Sequence, residues 1–145
     1  MRNKLHFWST LFFVILSFLL NFQILNKSTP FLIILCVCGW FFSWYMKERK
    51  IVGINYAVDI GAVAIVIFMI YSILNSSLLY KEIVVIFIKG LAAFIALLSF
   101  KVYFYKFLSF IQFFSFQLFL FSCLFISEKK FMFLAFFYLL VGMIM

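Results

Sequence analysis

Six apolar runs, each near the length of a membrane crossing and parted by short polar or charged links, limit what this chain can fold into. They lie at about 7–25, 31–46, 54–74, 83–100, 107–126 and 131–145. An α-helix rises about 1.5 Å per residue, so roughly 20 apolar residues cross a hydrocarbon core of about 30 Å. No water inside that core can satisfy backbone N–H and C=O groups, so the runs must be helices. The expected fold is all-α: a polytopic transmembrane helical bundle of about six spans, a single domain over 1–145. Composition agrees. Charged residues are 11% and hydrophobic ones 69% of 145 positions, against about 25% charged in a soluble domain.

The net charge of +8 does not point to nucleic acid, because the basic residues fall mostly between the apolar runs instead of along one face. Their distribution predicts topology. Arg2, Lys4, Lys47, Arg49, Lys50, Lys101 and Lys106 lie on one side, and Lys27, Lys81, Lys129 and Lys130 on the other. The richer side is cytoplasmic by the positive-inside rule, so the amino terminus is expected there. The first run follows a basic start but is long for a signal peptide and lacks an A-x-A-like site, so it reads as an uncleaved span. In "NKSTP", Thr29 is the expected N-cap and Pro30 the first helical residue of the second span.

Soluble-type chemistry is missing from the motifs. No H-E-x-x-H, G-x-S-x-G, P-loop or paired-carboxylate pattern occurs, and His6 has no carboxylate near it in sequence. Cys36, Cys38 and Cys123 read as small apolar residues of spans, not as catalytic or metal-binding groups. No cofactor or metal is expected.

Polar and small residues inside the runs carry more information. Gly53, Ala57 and Gly61 recur every four residues, a spacing that lets helix backbones approach closely. Asn55 and Asp59 share another face of the same helix, which is therefore expected to sit centrally. Lys89 shares a side with Ala92, Ala93 and Ala96 on the fourth span. Ionisable residues within spans are functional candidates by default. Asp59 falls about 12 Å from the inner edge and Lys89 about 9 Å from the outer one, leaving about 9 Å of depth between them. A direct pair, a proton path and two separate polar anchors are all compatible with that spacing.

On the fifth span, Phe104, Phe107, Phe110, Phe113, Phe116 and Phe119 recur at i+3. Each step turns a helix by about 300°, so the row winds around the axis and makes no face. Ser109, Gln112, Ser115 and Ser122 instead fall within an arc of about 140°, the pattern of a stripe that hydrogen-bonds to a neighbouring helix.

The order of several segments carries a family likeness. "CGWFFSWYMKERK" closes a tight helical hairpin, and "YKEIVVIFIKGLAAFIALLSFK" is a charged opening to an apolar run that ends in Lys. "KFLSFIQFFSFQLFLFSCLF" is a polar-dotted span, and "SEKKFMFLAFFYLLVGMIM" a charged turn with a last run. From about residue 7 to 145 the chain resembles the amino-terminal membrane region of bacterial transglutaminase-like (TgpA-type) membrane proteins. Lys101 and Lys106 match the family's basic link, whereas Phe104, Phe107 and Leu108 stand where it is acidic.

The resemblance implies a bacterial cytoplasmic-membrane protein and a non-catalytic anchor. Its extracytoplasmic transglutaminase-like domain, with the Cys-His-Asp triad, would lie outside this chain or on a separate partner. Two other functions stay open: a small transporter or permease component using Asp59 and Lys89, and an assembly subunit that binds another membrane protein. The lipid bilayer is a partner in all three.

Overall fold

The computed structural model describes residues 2–45, 52–76, 79–102, 105–125, 136, 138 and 139. Among these every element is helical: α1 (Arg2–Leu20), α2 (Phe22–Leu25), α3 (Ser28–Tyr45), α4 (Val52–Leu74), α5 (Tyr80–Leu98) and α6 (Tyr105–Phe125). A 3-10 turn, Ser99–Lys101, continues α5. Three stretches are long and apolar enough to cross a membrane, Ser28–Tyr45, Asn55–Leu74 and Tyr80–Lys101. His6–Leu20 and Phe107–Cys123 are shorter apolar helices. The protein thus has the make-up of a membrane-integrated helical bundle. Most of the sixth run, 131–145, lies outside the described residues.

The first run is helical but broken at Asn21. There the Asn21 amide Nδ2 donates to Ser17 O at 2.9 Å, one turn back, and the helix restarts at Phe22. The turn into α3 is made at Asn26, whose φ of 48° is the only positive value among the described non-glycine residues. Asn tolerates that region better than most side chains. Thr29 is not the N-cap: α3 begins at Ser28, Thr29 N donates to Asn26 O at 3.1 Å, and Pro30 sits inside the first turn, where its missing N–H costs little.

Four helices close a ring. α1 packs on α6 and α3, and α5 packs on α3 and α6. Val14, Phe18, Cys36, Trp40, Ile95 and Ile111 are among the fully buried side chains of the common core. Lipid tails are as apolar as leucine, so this core is held by packing and by polar ties between helices rather than by the hydrophobic effect. Large side chains such as Phe31, Ile34 and Phe113 point outward, as lipid-facing residues do.

α4 is outboard of the ring, not central as its two patterned faces suggest. It packs on α5 and the 3-10 turn, and Val58 is its one buried residue among those described. The antiparallel register with α5 is fixed by close approaches. A Cβ on Gly61 would lie 2.9 Å from Leu97, and a Cβ on Gly90 2.6 Å from the Met69 Cγ. The seam therefore runs through Val58, Gly61, Ile65, Met69 and Ser72. Gly53 and Ala57 lie about 120° and 80° from its centre. Both are exposed, and nothing comes within 4 Å of a Cβ on Gly53. The i, i+4 row of small residues is thus not the packing face; only Gly61 belongs to it.

Candidate functional site

Three polar ties between helices stand out among the described residues. The first joins α4 to the end of α5. The α4–α5 register brings Lys101, in the 3-10 turn, beside Asp59 near the start of α4, and Lys101 Nζ donates to Asp59 Oδ1 at 2.5 Å. The two ends of this pair differ in setting. The Lys101 side chain is 4% exposed and that of Asp59 67%. The ammonium also lies 5.3 Å from the centre of the Phe107 ring, close enough for a cation–π attraction. One carboxylate oxygen is thus engaged by a buried cation, while the other side of Asp59 faces outward. Asn55 lies half-buried one turn before it.

The same register separates Asp59 from Lys89. Lys89 neighbours Gly90, which abuts Met69, ten residues along α4 from Asp59. That is about 15 Å of helix, so the direct pair the sequence allowed does not form, and Lys101 takes its place. Lys89 is exposed and makes no hydrogen bond or ion pair among the described residues. Ala92 and Ala96 are fully buried in the ring, and Ala93 is half-buried beside Lys89, so α5 does pack closely along its alanine side.

The second site links α1 and α6. Gln112 Nε2 donates to Thr10 Oγ1 at 2.8 Å and lies 3.3 Å from His6 Nε2. Thr10 Oγ1 in turn donates to His6 O at 2.8 Å. The amide's two hydrogens are both placed if His6 accepts at Nε2 and carries its proton on Nδ1. The third tie is higher on the same pair of helices, where Asn21 Nδ2 donates to Leu118 O at 3.3 Å.

The polar stripe of α6 therefore acts mainly through Gln112. Ser122 Oγ donates to Leu118 O in its own helix at 2.8 Å, Ser115 is buried without a hydrogen bond, and Ser109 is exposed. The wound phenylalanine row behaves as its geometry requires. Phe110, Phe113 and Phe116 face outward, and Phe119 is buried, stacked on Tyr138 at 4.5 Å. Gln112→Leu should cost about 1 kcal/mol, two contacts at roughly 0.6 each. Thr10 keeps its bond to His6 O, so no orphaned hydroxyl adds to the loss. Unfolding midpoints in a fixed detergent check this, and an unchanged midpoint would remove the tie from the list of stabilising contacts.

No match to this chain is found among protein-family models, curated proteins or solved structures. The arrangement must therefore be judged on its chemistry. Among the described residues no three of His, Cys, Asp and Glu come together. Cys36 is buried, and Cys38 and Cys123 are exposed, all three as free thiols. The Lys101–Asp59, Gln112–Thr10 and Asn21–Leu118 contacts each join one helical segment to another. Sequence reasoning missed Thr10, Asn21 and Lys101. Thr10 and Asn21 were visible as polar residues inside the first run. Lys101 sits at the edge of its run, where a lysine ordinarily marks only topology.

Proposed function

We propose that the chain is a non-catalytic, multi-pass membrane module with about six spans and a cytoplasmic amino terminus. Its work is to anchor a transglutaminase-like extracytoplasmic domain of the TgpA type. The observation that supports this reading is the Asp59–Lys101 pair. Asp59, a carboxylate well inside a span, is tied to a buried lysine that clasps α4 to α5, a structural use of the residue a carrier would need free. The transporter reading is weaker for the same reason, since Asp59 and Lys89 are about 15 Å apart along the bundle.

A second reading, an assembly subunit for another membrane protein, is favoured by one observation: α4 leaves nearly all of its surface outside the bundle. The DNA around this gene tests the anchor. A Cys…His…Asp-bearing extracytoplasmic domain encoded downstream or in the adjacent gene supports it, and unrelated neighbours argue for the assembly subunit. Topology is tested separately. A fluorescent reporter fused after Met145 should fluoresce in the cytoplasm, whereas an alkaline phosphatase active at that point would refute the orientation or the span number.

A further inference from the structure

A groove of about 520 Å³ opens between the outward faces of α4 and α5, lined among others by Ala64, Phe68 and Ser72 on one side and Ile86, Gly90 and Ala93 on the other. Lys89 also lines it. Its size is that of a pocket for a small ligand, and its composition, apolar walls with one or two polar groups, is what such pockets use to orient an amphiphile. The groove runs along the helices. Ala64 and Ser72 are eight residues apart on α4, a length of about 12 Å. Ser72 is two residues from the end of α4, so it marks the mouth; Ala64 and Ala93 mark the deep end.

Lys89 is the cation of this groove, and no carboxylate lines it. Asp59 is held by Lys101 some 15 Å deeper. Glu82 is seven residues nearer the outer end of α5, about 10 Å away. An ammonium about 9 Å below the outer edge of the apolar stretch extends its stem toward the surface and seeks an anion there.

We propose that the groove binds an anionic phospholipid, one acyl chain lying along the small residues of its deep end and the phosphate drawn to Lys89. A zwitterionic lipid fits less well, because it brings its own cation to the phosphate.

The test is native mass spectrometry of the delipidated full chain, titrated with phosphatidylglycerol or phosphatidylcholine of identical acyl chains. The first phosphatidylglycerol should bind about fivefold more tightly, the size of one lysine's attraction to an anionic headgroup. Lys89→Gln should abolish this preference, whereas Lys89→Arg and Lys81→Gln should keep it. Ala64→Phe, at an exposed position that fills the groove, should weaken the first binding of both lipids. Equal affinities for the two lipids in the unaltered chain would overturn the proposal. So would a preference that survives Lys89→Gln, or an Ala64→Phe chain that binds as before. A dimer or heteromer that dissociates on Lys89→Gln would make a protein helix the occupant and reject the lipid.

Discussion

Gly39→Leu will push α3 away from the end of α5 and lower stability by about 3 kcal/mol, the upper range for overpacking a filled site. Gly39 is fully covered, and a Cβ there would run into the Ser99 Oγ and come 2.9 Å from the Phe100 ring. Neither neighbour can withdraw cheaply. The Ser99 hydroxyl donates to Ala96 O at 2.5 Å, and the Phe100 ring lies tilted against Phe42 of α3 itself, 6.0 Å between centres. The 3-10 turn between them carries Lys101, so displacing the turn also moves the clasp on α4. Gly39→Ala should show the same sign at about 1 kcal/mol. Unfolding in a fixed detergent, followed by the helical circular dichroism signal, measures both. A leucine variant as stable as the parent would mean that α3 and the turn do not touch.

Asp59→Ala is expected to cost about 2 kcal/mol. Stranding one member of a buried ion pair typically costs about 3–5 kcal/mol, and the value here is lower because the carboxylate half is largely open to its surroundings. The loss arises from Lys101, left charged beside Phe107 with nothing to bind. Lys101→Met on the Asp59→Ala background should therefore recover most of it, since an apolar side chain of similar length fills the same space. The double-mutant cycle isolates the pair. Additive losses would show that the two groups do not interact, whatever their separation.

The sequence was informative where a physical rule acts on one residue at a time. Hydrocarbon length and backbone satisfaction dictate helices, and among the described residues every element is helical. Helical periodicity also disposed of the phenylalanine ladder, which winds from exposed Phe110, Phe113 and Phe116 to buried Phe119. It was uninformative where two helices must be set side by side. Asp59 stood out as an intramembrane acid, but its partner depends on the α4–α5 register, which Gly61 against Leu97 and Gly90 against Met69 determine. Spacing within one helix cannot supply that offset. The same limit explains why Gly53, Ala57 and Gly61 looked like a packing face: the pattern is real, but the neighbour crosses it at an angle and meets only the last glycine.

The clasp between α4 and α5 joins residues 42 positions apart in the chain, and this gives it a history as well as a geometry. A ribosome adds roughly 5–20 residues per second, so Asp59 is synthesised about 2–8 s before Lys101 exists. Through that interval Asp59 has no Lys101 to pair with. The pair can therefore close only after the following helix has been made.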